Sequence, residues 1–174
     1  GYRPNPVAAS LRTRRSTLVG VLVPDITNPV FSPIISGIAE ILGAEGYSTI
    51  VADAGTELGP RMALIDELIA RRVDGLVLAT VSRDDPVLEH CLAEGVHVVL
   101  VNRADDSDRA PSVVSDDIAG MRAAVDHLHG LGHRVIGHLA GPSTLSTGHL
   151  RRIGFESSEE HTAELQSRMY RVCR

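Results

Sequence analysis

The 174-residue chain contains no lysine and no tryptophan, and only 3% of its residues are aromatic. All 17 of its basic residues are arginine. Without lysine there is no Walker A phosphate loop, no Schiff-base amine and no Ser-x-x-Lys nucleophile. With so few rings, the core has to be aliphatic. Cysteine is scarce as well: Cys91 and Cys173 make no disulfide framework and fit a reducing compartment. The apolar runs match buried strands in length and are too short to span a bilayer. The N-terminus lacks the charged start, apolar stretch and small-residue cleavage site of a secretion signal. The expectation is therefore a cytoplasmic location and no membrane partner.

What is present supports a globular domain. Hydrophobic residues make up 43% and charged residues 22%, enough to bury a core. The length fits one compact domain, or one large lobe plus part of another. The net charge of -5 hides an asymmetry. Residues 1–15 hold Arg3, Arg12, Arg14 and Arg15 and no acid, whereas acids outnumber arginines in the rest. A basic arm on an acidic body points to a polyanion that meets the arm and not the body.

From residue 16 onward apolar runs alternate with helical patterns. Leu18–Val23 is a continuous apolar run closed by Pro24 and Asp25, as in a buried parallel strand. Phe31, Ile34, Ile35, Ile38 and Leu42 share one helix face, which Gly46 ends. Ser48–Ala52 reads as the second strand, and a helix lined by Leu64, Ile65, Leu68 and Ile69 starts near Pro60. Leu76–Ala79 is the third strand, followed by a helix with Val87, Leu88, Cys91 and Leu92, closed by Gly95. Val96–Val101 is the fourth strand and Val113–Val114 a short fifth. Ile118, Met121, Val125 and Leu128 mark a further helix, and Arg134–Ala140 a sixth strand. This rhythm with short connections predicts an α/β fold with a doubly wound parallel sheet. Ligands of such sheets bind at the strands' carboxyl ends.

Several tempting motifs carry no chemistry. His127, His129, His133 and His138 cross a helix end, a turn and a strand, so their side chains diverge. A helix C-terminal role suits the first of them better than a metal. Gly130-Leu131-Gly132 follows a helix and not a strand, so it is no dinucleotide fingerprint. No Gly-x-Ser-x-Gly elbow occurs. The expectation is a protein that is not an enzyme and needs no cofactor or metal.

Five stretches in order carry a resemblance. They are Gly1-Tyr2-Arg3-Pro4-Asn5-Pro6-Val7-Ala8-Ala9-Ser10-Leu11-Arg12, Val23–Phe31, Arg71–Leu76, His127–Arg134 and Leu139–Pro142. Over residues 1 to about 155 the chain resembles the LacI/GalR family of bacterial transcription repressors. The resemblance implies a hinge segment at 1–15 that follows a missing helix-turn-helix. It implies a periplasmic-binding-protein-like first lobe of type I at 16–132, incomplete, and the start of a second lobe at 133–156. It also implies that operator DNA and a small-molecule effector, a sugar first of all, are partners, with the working unit a homodimer.

The same resemblance assigns site residues. Asn5, Ala8, Leu11, Arg12, Arg14 and Arg15 face DNA: Leu11 matches the hinge leucine that wedges into the minor groove, and the arginines reach phosphates. Ala9 stands where relatives often have Arg. Asn28 and Phe31 fall where sugar-binding relatives place an amide and a ring, with Val30 replacing a second aromatic. Asn102-Arg103 matches an Asp-Arg pair that holds sugar hydroxyls, and the Asn loses that charge. Asp116-Asp117 matches an Asp-Asn pair, and Thr147 and Arg151 match second-lobe contacts. Two rivals remain, a sugar-binding protein of a transport system and a small α/β enzyme. Finally, Ser157–Ser167 resembles the translated sequence of a common DNA-sequencing adapter. Residues 157–174 are therefore read as a non-native tail, expected to lie outside the core and to leave the sixth strand unpaired.

Overall fold

The computed structural model describes residues 15–161 and 168–170. The described residues form seven strands and five helices, which divide between two sheets. In chain order they are β1 (Leu18–Val23), α1 (Phe31–Ala44), β2 (Ser48–Asp53), α2 (Leu58–Ala70), β3 (Gly75–Leu78), α3 (Pro86–Ala93), β4 (Val98–Val101) and β5 (Ser112–Val113). Then come α4 (Asp117–Gly130), β6 (Gly137–Leu139), α5 (Ser146–His161) and β7 (Arg168–Tyr170). The first five strands form one parallel sheet in the order β2-β1-β3-β4-β5. The order reverses between β1 and β3, which places the crevice there, at the carboxyl ends.

The two faces of this sheet are covered unequally. Leu22, Leu76, Leu78 and Leu100 point to one face and pack with Ile65 and Leu68 of α2 and Val87, Leu88 and Cys91 of α3. Of these, Leu78, Ile65, Leu88, Cys91 and Leu100 are fully buried. Burial pushes the Cys91 thiol up to about 11, so it behaves as an inert apolar residue. On the other face Val23, Phe31 and Ala79 cluster with Ile34, Ile35 and Val101. Toward the amino ends α1 stands off the sheet. Val19, Ile38, Ile41, Leu42, Val77 and Val99 there line an apolar groove of about 490 Å³.

Local signals explain the boundaries. Pro33 is tolerated in the first turn of α1. Gly46, at φ 80°, ends α1 with Tyr47 N–H donating to Leu42 O at 2.9 Å. Gly95, at φ 73°, does the same for α3, with Val96 N–H on Cys91 O at 3.0 Å. Ahead of β1 the chain is pinned. The Asp74 carboxylate accepts from Ser16 N–H at 3.0 Å, Ser16 Oγ at 3.2 Å and Thr17 N–H at 3.0 Å.

Two expectations are corrected at the carboxyl-terminal part. The sixth strand spans only Gly137–Leu139, because Arg134 folds back and donates to the carbonyls of His129 and His133. That strand is paired: β6 runs parallel to β7, with Gly137 opposite Arg168. Residues expected outside the folded elements also continue α5 to His161, where Ser158 is buried and its Oγ donates to Gly154 O at 2.7 Å. Val125 of α4, Ile136 and Phe155 of α5 make a third small core. Gly154 permits this packing, since a Cβ there would lie 2.7 Å from Ile118 O.

Candidate functional site

The β1–α1 turn is held by its own side chains. Asp25 Oδ1 accepts from Thr27 N–H at 2.8 Å and Thr27 Oγ1 at 2.6 Å. The Thr27 hydroxyl, then its amide, holds the Asp25 carboxyl below the usual range. Asn28 Oδ1 accepts from Val30 N–H at 3.1 Å, so one end of its amide is committed to the turn. Phe31 is 2% exposed and sits in the small core with Val23 and Ala79. Its ring has no open face for stacking in this structure, whereas Val30 is exposed.

The ends of β3 and β4 hold the charged part of the site. Arg61 of α2 donates from Nη2 to Asp85 Oδ2, and both side chains are buried. Asp85 also accepts from Ser82 N–H at 2.7 Å and caps α3 through Val87 N–H at 2.9 Å. Burial alone would raise the Asp85 carboxyl. The Arg61 hydrogen bond, the Ser82 and Val87 amides and the Arg61 charge bring it below the usual carboxylate range. Asn102 follows β4 in the left-handed region, at φ 66°, with its N–H on Val113 O at 2.9 Å. Arg103 is half-buried beside it. Burial, then the nearby Arg61 charge, lowers the Arg103 guanidinium, and Asp85 partly offsets this.

Three ties bring the following unit onto these strand ends. Arg83 grips Asp106 through Nε at 2.9 Å and Nη2 at 2.7 Å, and its N–H reaches Thr144 O at 2.9 Å. Ala104 N–H donates to Ser146 Oγ at 2.9 Å. Arg151 Nε donates to Asp117 Oδ1 at 2.7 Å, which joins α5 to the start of α4. Asp116 is the N-cap of α4, accepting from Ala119 N–H at 2.9 Å. Thr147 is half-buried in the first turn of α5, beside the buried Ser146. His138 lies against Phe155 with ring centroids 5.0 Å apart. Burial, then the Arg151 charge, lowers its pKa.

Thus Asn102 and Arg103 precede Ala104, which is tied to Ser146 of α5, Arg151 of the same helix is tied to Asp117, Thr147 follows Ser146, and Asn28 lies on the β1 turn. Arg61 and Asp85 were missed in the sequence, whereas Thr80, Arg83 and Ser146 fall in segments at strand carboxyl ends, where the sequence places ligands. Only the Asp85-Pro86 step, a capping residue before a proline, signalled one of them. Of the DNA-facing set, Asn5, Ala8, Leu11, Arg12 and Arg14 lie outside the described residues, and Arg15 is exposed. These residues put amides, guanidinium groups and carboxylates at and beyond the strand ends. Among the described residues no group of three or more His, Cys, Asp or Glu is placed to hold a metal ion. No described helix is long and apolar enough to cross a membrane.

A family model described as periplasmic binding proteins and the sugar-binding domain of the LacI family matches residues 16–173. The chain belongs to this family. It is 36% identical over 147 residues to the ribose operon repressor of Bacillus subtilis strain 168, covering 84% of this chain and 43% of that protein. It is 28% identical over 153 residues to catabolite control protein A of Priestia megaterium, covering 88% and 46%. A periplasmic binding protein/LacI transcriptional regulator from Alkaliphilus metalliredigens QYMF, solved with D-xylulofuranose, superposes with a TM-score of 0.79 at 25% identity, covering 90% of this chain and 57% of that one. The chain spans under half the length of these two curated relatives.

Proposed function

We propose that the chain is the effector-sensing part of a LacI-type transcription regulator. A small polar effector, a sugar first of all, binds at the carboxyl ends of β1, β3, β4 and β5, where α5 reaches over. The observation that carries the reading is the pair of ties that hold α5 at the strand ends: Ala104, next to Asn102 and Arg103, bonds Ser146, and Arg151 bonds Asp117. The names of the relatives, a ribose operon repressor among them, agree with it.

In this reading residues 1–15 bind operator DNA, two copies act together, and the effector shifts how their first lobes sit. That shift orders or releases the paired arms and so couples the two sites. The protein acts in the cytoplasm and not as an enzyme. The arm's four arginines against an acidic body favour this over a sugar-binding protein of a transport system.

The test uses the full-length gene product. Arg151→Ala removes a charge-assisted contact worth about 1.5–3 kcal/mol, so titration calorimetry should show weaker effector binding with operator binding kept. Leu11→Ala should weaken operator binding and bending with effector binding kept. Unchanged affinities in both variants would sink the reading. The same reading holds residues 157–174 to be foreign sequence, and resequencing the locus through codon 156 decides that point.

A further inference from the structure

The loop after β3 is fixed at its base, where the buried Asp85 carboxylate accepts from Ser82 N–H at 2.7 Å and from Ser82 Oγ at 3.1 Å. Between these two residues, Arg83 is bonded on both sides. Its main-chain N–H donates to Thr144 O at 2.9 Å, and its carbonyl accepts from Asp106 N–H at 2.8 Å. Its guanidinium repeats the pattern. Nε and Nη2 meet the two Asp106 oxygens at 2.9 and 2.7 Å, and Nη1 donates to Ser143 O at 3.2 Å. Asp105, next to Asp106, is engaged elsewhere: it takes the Arg109 guanidinium at 3.0 and 2.6 Å.

Ser143 and Thr144 lie on the connection from β6 to α5, and the helix packs directly against it. Leu145 N–H donates to Pro142 O at 3.2 Å, and a Cβ on Gly148 would run into the same carbonyl. The first two turns of α5 carry Thr147 and Arg151, so a displacement of Ser143 reaches both. The Arg83–Asp106 pair is partly open to water, with side chains 30% and 47% exposed, and such pairs add little stability. What two parallel bonds to one carboxylate supply is orientation. They fix the guanidinium plane, and with it the direction of Nη1 toward Ser143.

We propose that Arg83 is a positioning residue of the effector site: clamped by Asp106, it sets where Ser143, and through it Thr147 and Arg151 of α5, stand relative to the ends of β3 and β4. Its purpose rests on the effector reading, and its geometry on the bonds above. Arg83 touches no effector in this account. It acts through the helix that does.

Two measurements test it. On this chain with Cys173→Ser, spin labels at Glu94→Cys, the C-cap of α3, and Ala124→Cys, on α4, read a distance from the five-stranded sheet's unit to that of α4 and α5. Arg83→Gln, Asp106→Asn and the two together should each broaden or shift that distance equally, since each breaks one clamp. Arg83→Lys keeps the charge and the donors and should recover most of the parent distance. The main-chain bonds of residue 83 survive in every variant, so the fold is kept. In the full-length gene product, calorimetry with D-ribose, D-fructose and D-glucose reads the consequence. The sugar that binds the parent should bind Arg83→Gln and Asp106→Asn about two- to fivefold more weakly, and the double variant no more weakly still. Parent-like distances in Arg83→Gln, or additive effects in the double variant, would overturn the clamp. A changed distance with unchanged sugar affinity would overturn the positioning role and leave the effector site standing. Weaker binding in Arg83→Gln but not in Asp106→Asn would mean that Arg83 meets the sugar itself, and the inference is wrong. If no sugar binds the parent, the effector reading falls and takes the positioning role with it.

Discussion

Removing the Asp85 carboxylate should destabilise the chain by about 3–5 kcal/mol. Asp85 is 1% exposed and serves two ends at once. It caps α3 through Val87 N–H at 2.9 Å, and loss of such a cap costs about 1 kcal/mol. It also neutralises Arg61, whose side chain is 8% exposed. In Asp85→Ala that guanidinium stays buried with no counter-charge, and this is the larger part of the loss. Against a typical stability of about 5–15 kcal/mol the effect is large. Asp85→Ser separates the two contributions, because serine keeps a cap and loses the charge. Adding Arg61→Met to Asp85→Ser removes the stranded cation and should recover most of the stability, since a buried ion pair replaced by apolar groups is often neutral. Urea unfolding followed by circular dichroism, with the slope held constant, reads all three variants. If Asp85→Ala stays within about 1 kcal/mol of the parent, or the double variant is no better than Asp85→Ser, the account of this pair is wrong.

Other outcomes follow from the same geometry. Phe31→Ala should cost about 3–5 kcal/mol in urea unfolding, because the ring fills a core and not an open cleft. Gly154→Val should push α5 away from the Ile118 carbonyl and break the Arg151–Asp117 pair, seen as loss of the Arg151 Nε–H NMR signal's protection from exchange. The His138 pKa is lowered below 6.5 by burial and Arg151, so the unfolded chain binds the proton more readily. Stability should therefore be full above pH 6.5 and fall as pH drops through the folded value, and His138→Asn should flatten that slope in thermal melts.

The sheet was legible in the sequence because buried parallel strands are written as uninterrupted apolar runs, of which Leu18–Val23 is the clearest. Helix ends were legible wherever a glycine takes a positive φ, as at Gly46 and Gly95. The charged site was legible only in part. Arg61 on α2 and Asp85 at the N-cap of α3 are 24 residues apart, and no local pattern announces that they meet. The length of β6 was misread because its apolar residues look extended, while the Arg134 guanidinium bonds back to the His129 carbonyl at the end of α4 and the strand begins only at Gly137. The position of Phe31 was read correctly as the inner face of a helix, but that face meets β1 and β3 and leaves no ring exposed.

The Asp74 carboxylate leaves no slack where the arm meets the lobe. Its three bonds to Ser16 and Thr17 fasten the root of residues 1–15 to the residue just ahead of β3, the middle strand of the sheet. A tether with free length would absorb a small rotation of the lobe before its far end felt anything. A tether clamped at its root passes the rotation on, so an ångström of travel in the lobe becomes an ångström at the start of the arm. In the proposed regulator, the spacing between two such roots would work as a gauge of how the two bodies are set. Asp74→Asn, which keeps the size of the group and loses its charge, would loosen that gauge without touching the cleft.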